Sequence, residues 1–471
     1  MLKDRKAERA LVVVFAITLA ITAAAHIWTA GRKYTYHHAL ISTTFATCAR
    51  TFAGSGLFKL HFIPDLNNPP IGPSDGYTHW PPMTSALLSV CFRVFGTSET
   101  VGHLWALAIE VTTALLVFTI ACNWLGRPGG ALAGAFWLVM PVTVHYGHVI
   151  LAESLALALM LGAVLAVQRS RPGYAAGFVV LAVWSSWEAV LLAPALWAVA
   201  WKTKRPEHRR AASLCTVSII GAFASVMVLY ALANPVMFCD TIQTALFRMG
   251  LSKVYSNQVI GVNTLDPAIG FDAIVSRLAV NFPRMLGIFG AAALISLGLA
   301  RPRGSELVFY GTGIPWMLWC VLMPNHAGAH DIEMLLAAPV ASIALAWFAI
   351  GVAAKIGGRP TMKLAGGIVF AAALVSQPWI FGTDPPFESP PQMLGFAEKI
   401  RSATESDAVV LSPLISTIPL YYSERHIIRC ISDLNTAQSL IPSLRKEFPR
   451  ARFYWVTPLE SHPWAEVKEI D

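Results

Sequence analysis

Apolar residues in this chain come in long runs, separated by short polar stretches that are often basic. The first run, Ala10–Ala30, follows the basic segment Met1–Arg9 and lacks a clear small-residue cleavage site, so it predicts a retained span. Runs from about Val101 to Trp124, Gly130 to Tyr146 and Leu151 to Gln168 approach the roughly 17–25 residues that cross a bilayer. Tyr174–Trp201 reads as one span or two. One span would leave Lys202, Lys204, Arg205, Arg209 and Arg210 outside. Two short spans meeting near Ser185–Glu188 keep that basic cluster inside, and the positive-inside bias selects two. Residues 211–233, 285–300, 305–323, 332–354 and 362–381 complete the series, with Arg301, Arg303, Lys355, Arg359 and Lys363 at inner ends. Length and loop charge thus predict an all-α polytopic membrane domain of about eleven spans. Lys3, Arg5, Lys6 and Arg9 put the N-terminus in the cytoplasm and the C-terminus outside.

Two polar stretches interrupt the series as large outer loops, residues 31–82 and 234–284. In the first, His38–Phe52 predicts a helix lying on the membrane and ended by Gly54-Ser55-Gly56. Met83–Phe95 is too short to span and reads as interfacial, with Arg93 at its polar edge. Composition changes at Asp384-Pro385-Pro386. Residues 1–383 form the membrane domain, and 384–471 a small soluble α/β domain on the outer face. Helices are expected there over Met393–Thr404 and Ser439–Phe448, and strands over Ala408–Leu411 and Arg452–Val456. No Gly-rich nucleotide loop, internal repeat or low-complexity tract is present.

Of the 471 residues, 55% are hydrophobic and 13% charged, against about a quarter charged in soluble domains. The net charge of +8 sits mainly in short inter-helix loops, which points to membrane orientation rather than to nucleic acid. The seven cysteines are scattered without metal-binding spacing.

Ionisable residues in apolar surroundings are the candidates for chemistry. Glu153 lies near the outer end of a span, where an acid is costly and functional by default. The bland alternative is a carboxylate that pairs with a neighbouring helix. His148 and His145 reach a shared metal with Glu153 if the helix begins after His148. His37 and His38, just past the first span, suit a metal ligand, a general base or a phosphate partner. Asp65 and Asp75 are the acids of the first loop. His79 and Trp80 precede Pro81-Pro82, a pair that stiffens either a site or a structural corner. His326 and His330 share a helical face and adjoin Asp331, while Glu188 sits at the outer tip of the two short spans. Together they suggest a polyanionic head group nearby, to which Arg248, Lys253 or Arg277 could pair. Trp80, Trp105, Trp137 and Trp379 also fit an interfacial belt.

His79-Trp80-Pro81-Pro82, then Phe92-Arg93-Val94-Phe95-Gly96-Thr97-Ser98-Glu99 before a span, resemble the C-type glycosyltransferase (GT-C) clan. Pro141 through Glu153 and Tyr421-Tyr422-Ser423-Glu424-Arg425 extend the likeness. The branch is that of protein O-mannosyltransferases and the aminoarabinose transferases of lipid A. The resemblance implies a sugar donor on a polyprenyl phosphate and a lipid, glycan or protein acceptor. It also implies a divalent metal (Mg2+, Mn2+ or Zn2+), inversion at the anomeric carbon, and a location in a bacterial-type inner membrane. Glu153 matches the clan's second acidic position, and His79 or Trp80 the site before the Pro pair. The clan's first-loop acid is missing, because no Asp or Glu lies between Gly31 and Asp65. A histidine replaces it, Asp65 or Asp75 folds back, or the chain is a non-catalytic sugar-lipid-binding relative. A transporter or flippase is the alternative class, but it would favour paired repeats and midplane polar residues.

Overall fold

A computed structural model describes residues 5–34, 39–66, 76–233, 235–252, 271–300, 302, 304–356, 390–413, 417–429, 431, 433–458 and 465–470. The N-terminal run forms α1 (Arg5–Thr29). It packs on α4 (Glu99–Val139), which joins two of the expected runs. At the junction Gly126 takes a φ of 75°, open to glycine without strain, and Pro128 opens the second half. The run expected to end at Tyr146 stops earlier. Met140 is extended, and a separate turn, α5 (Pro141–Tyr146), follows.

Then come α6 (Ala152–Gln168), α7 (Pro172–Val183), a 3-10 turn at Trp187–Leu191, α8 (Leu192–Thr203) and α9 (Pro206–Ala233). The break between α7 and α8 falls at the expected place, Ser185–Glu188. The second outer loop is more helical than its composition suggests: it holds α10 (Pro235–Arg248) and the start of α11 (Phe271–Ala300). The run 305–323 is divided into α12 (Glu306–Val308), a π turn at Phe309–Gly313 and α13 (Ile314–Leu322). α14 (Pro324–Ala329), a 3-10 turn at Asp331–Leu336 and α15 (Ala338–Ile356) complete this part. Among the described residues, five helices are long and apolar enough to cross a membrane: Lys6–Thr29, Glu99–Val139, Pro206–Ala233, Val275–Ala300 and Ala338–Lys355. Four shorter apolar helices accompany them. The expected span 362–381 and the boundary at Asp384 lie outside the described residues.

The first-loop helix, α2 (Ala39–Ser55), differs from expectation. It does not lie bare on a surface but is clamped between α3 (Met83–Phe95) and the helix Ile418–Ser423. Its Thr-rich face explains this. Thr43 and Thr44 hydroxyls lie 2.8 and 2.9 Å from Thr417 Oγ1, and Arg50 Nη1 donates to the Tyr421 carbonyl at 3.0 Å.

Residues 390–470 carry a four-stranded sheet in the order β2-β1-β3-β4. β1 (Val409–Leu411) runs parallel to β2 (His426–Ile428) and β3 (Phe453–Pro458), and β4 (Ala465–Glu469) is antiparallel to β3. Helices Pro390–Ala403 and Leu434–Glu447 accompany it. β1 and β3 match the expected strands. β2, one histidine and two isoleucines, and β4, with three charges in five residues, were not among the expected strands.

Candidate functional site

Four segments converge where helices are interrupted. Leu151 is extended, and α6 starts with Glu153 in its first turn. The 3-10 turn after α7 presents Glu188, α14 presents His326, and the next 3-10 turn presents Glu333. Such breaks in apolar sequence persist at membrane depth only where protein surrounds them or they line a cavity. All four side chains are buried, and one ligand atom from each lies within 4.8 Å of the others. His326 Nε2 is 3.0 Å from Glu333 Oε1.

The walls are aromatic and cationic. Trp80 and Trp319 pack on the His326 ring at 5.8 and 5.9 Å, and His330 meets it edge-on at 4.7 Å. Arg248, at the end of α10 and buried, lies over the Trp80 ring at 4.6 Å. The Trp80 carbonyl accepts from Tyr230 Oη at 2.8 Å, and the His79 carbonyl accepts from Trp187 Nε1 at 2.9 Å. These bonds fix the His79-Trp80 corner against Glu188's turn. His79 Nε2 is itself 3.2 Å from Asp240 Oδ2.

Charge in this place is costly. In turns outside the five long helices, burial and then the Glu333 and Glu153 carboxylates push Glu188 well above the usual carboxylate range. Burial, aided by Arg248, drives His326 well below the usual imidazole value. Both Glu188 oxygens are buried and accept no hydrogen bond among the described residues. Three carboxylates and one imidazole are a donor set for a hard divalent cation. Together with the Arg248 guanidinium, such a cation would neutralise the three acids. The residues therefore fit a metal.

Of the residues singled out in the sequence, Glu153, Glu188 and His326 meet in this group, and Trp80 and His330 flank it. His79 adjoins it through Trp187 and pairs with Asp240. His148 is not in the group; its ring lies 6.2 Å from that of His26. Asp65 is buried and bridges to Gly76 through its backbone, also outside the group. Asp331 accepts a short hydrogen bond from Tyr146 Oη, and Arg277 is exposed on α11. His37, His38, Asp75 and Lys253 lie outside the described residues. Glu333 escaped sequence reading because it opens an apolar run like an ordinary boundary acid. The signal that singled out Glu153, an acid at the edge of an apolar segment, applied equally to it.

Taken over its whole length, the chain has the GT-C fold. Two solved structures share it over almost the whole chain. ArnT from Cupriavidus metallidurans, an aminoarabinose transferase bound to undecaprenyl phosphate, is 12% identical with a TM-score of 0.63, covering 96% of this chain and 97% of its own. The oligosaccharyltransferase AglB from Archaeoglobus fulgidus, in complex with an inhibitory peptide and a dolichol-phosphate, is 13% identical with a TM-score of 0.58, covering 95% and 69%. A further structure of that oligosaccharyltransferase, in complex with Zn and sulfate, gives 13% identity, a TM-score of 0.59 and coverage of 94% and 67%. No family model matches the chain. No curated protein matches it in sequence. The long apolar helices and this fold make the chain an integral membrane protein.

Proposed function

We propose that this protein is a membrane glycosyltransferase. It moves a sugar from a polyprenyl-phosphate donor to a lipid, glycan or protein acceptor at the extracytoplasmic face of a bacterial-type inner membrane. The N-terminus is cytoplasmic and the 384–471 domain extracytoplasmic. One observation carries the reading: the buried Glu153–Glu188–His326–Glu333 group, walled by Trp80 and Arg248. The undecaprenyl phosphate and dolichol-phosphate in the fold neighbours support a polyprenyl donor.

Glu153, Glu188, His326 and Glu333 would hold the metal, and the imidazole favours Mn2+ or Zn2+ over Mg2+. When bound, the metal supplies positive charge against the departing phosphate. Arg248 and His330 add charge and hydrogen-bond donors at the same rim. The proton acceptor is assigned to His79, whose imidazole Asp240 holds in place, as a substitute for the missing first-loop acid. The acceptor's proton passes to that imidazole and its lone pair bonds to the anomeric carbon. The bond from that carbon to the phosphate oxygen breaks, its electron pair leaves with the phosphate, and the carbon inverts.

The test uses full-length protein in liposomes with Mn2+, radiolabelled undecaprenyl-phosphate pentoses and hexoses, and a membrane extract as acceptor. Wild-type protein should release label from at least one donor, and Glu153→Gln, equally folded, should not. Label retained on every donor, or equal release by both proteins, would overturn the reading. The missing first-loop acid favours a second reading, a non-catalytic sugar-lipid binder. It forecasts saturable donor binding without release.

A further inference from the structure

A second buried polar assembly, outside the acidic group, reaches as far as Ser154, the residue after Glu153. Glu110 sits within α4 and is 5% exposed. Its Oε2 is 3.3 Å from Nε2 of His26 on α1. Apart from that approach to His26, the Glu110 oxygens, Trp137 Nε1 and Thr143 Oγ1 are buried without a hydrogen-bond partner among the described residues. Glu110, Trp137, Thr143, Tyr146, Gly147 and Ser154 line one small cavity of about 20 Å³, room for about one water. The Glu110 carboxyl packs directly on Gly147, where a Cβ would stand 2.6 Å from it.

The chemistry of the lining narrows what the cavity takes. Trp137 offers only a donor, Glu110 chiefly acceptors, and Thr143 both. That mixture suits water, which occupies polar cavities with two to four partners. It does not suit a metal, whose ligands are all lone-pair donors, and the imidazoles and carboxylate here do not gather round one point as the other group does. The ionisable groups facing the pair are few. His26 comes from α1 and His103 from α4, the latter with Nδ1 2.8 Å from the Ala30 carbonyl oxygen. His148 follows α5, with His145 close to it on α5. Asp331 reaches this side through Tyr146. An acid and an imidazole held together out of water favour the neutral pair, with the proton on the carboxyl.

We propose that this chamber is a proton-binding site of the membrane domain: Glu110 carries a proton that His26 accepts in a hydrogen bond, and water held by Trp137 and Thr143 exchanges it with solvent. Infrared spectra of the full-length protein in lipid, recorded in H2O and D2O, test this directly. Wild-type protein should show a carboxylic C=O band that is absent from Glu110→Gln and that moves to lower frequency in D2O. Trp137→Phe, which removes the N–H and leaves a smaller aromatic ring, should keep the band and slow its D2O shift severalfold. Three results would overturn the proposal: no band that depends on Glu110, a band unmoved by prolonged D2O, or an exchange rate unchanged in Trp137→Phe. The readout needs neither donor nor metal, so it stands whatever the chain's activity.

Discussion

Replacing Glu188 by Gln should stabilise the metal-free protein while removing its stabilisation by divalent cations. Glu153, Glu188 and Glu333 hold carboxylate oxygens within 4.8 Å of one another. With an effective dielectric of about 20, two unit negative charges at that separation repel by about 3.5 kcal/mol. Glu188 faces two such neighbours, and partial proton uptake by the metal-free group offsets part of the strain. A gain of about 2–3 kcal/mol is expected when an uncharged amide of the same shape takes the place of this carboxylate. The holo protein should behave oppositely. A metal at a hundred times its Kd stabilises the folded state by about 2.7 kcal/mol. Loss of a direct ligand should weaken binding by at least the roughly 10–100-fold seen for outer partners, so most of that gain disappears. Intrinsic tryptophan fluorescence follows unfolding of the detergent-solubilised protein in EDTA and in Mn2+. The wild type should melt lower in EDTA and rise with Mn2+; Glu188→Gln should melt higher in EDTA and respond little. An equal Mn2+ response in both proteins, or a lower EDTA melting point for the variant, would refute the electrostatic reasoning.

Three further outcomes concern the C-terminal unit. Arg425 donates to the carbonyls of Arg401, Thr404 and Ser423 and to Thr404 Oγ1. Arg425→Ala strands these acceptors and should cost about 3 kcal/mol, read as earlier proteolysis of residues 390–470 in urea. Asp433 Oδ1 caps the helix Leu434–Glu447 by accepting from the Thr436 N–H at 2.8 Å, so Asp433→Ala should cost about 1 kcal/mol in the same assay. Burial lowers His426 from 6.5 to about 4 in the folded state. The unfolded chain therefore binds the proton first, and stability present above pH 6.5 is lost as pH falls towards 4, by about 3 kcal/mol. Unfolding midpoints at pH 7 and pH 4.5 should diverge more in wild type than in His426→Phe; equal divergence would remove His426 as the cause.

Much of the architecture was legible in local pattern. The runs of Ala10–Ala30 and 211–233 are apolar over bilayer length, and α1 and α9 follow them. The basic cluster from Lys202 to Arg210 led to a break being expected near Ser185, and the helices α7 and α8 are separated there. Strands β1 and β3 are apolar and buried, and they were readable; β2, one histidine and two isoleucines, and β4, with three charges in five residues, were not read. The helix of the first loop was readable, but the partner of its Thr43 and Thr44, Thr417, lies far along the chain.

Apolar runs, basic loops and turn residues act on neighbours in the chain, so the sequence alone determined that this protein is helical, membrane-bound and rich in ionisable groups at helix ends. It marked Glu153, Glu188 and His326 one by one. Only the packing of four broken helices decided that these three meet Glu333, that His148 turns instead toward His26, and that Arg248 closes over Trp80. Such meetings depend on crossing angles and on where each break falls in depth, which residues distant in the chain set jointly and no local period records.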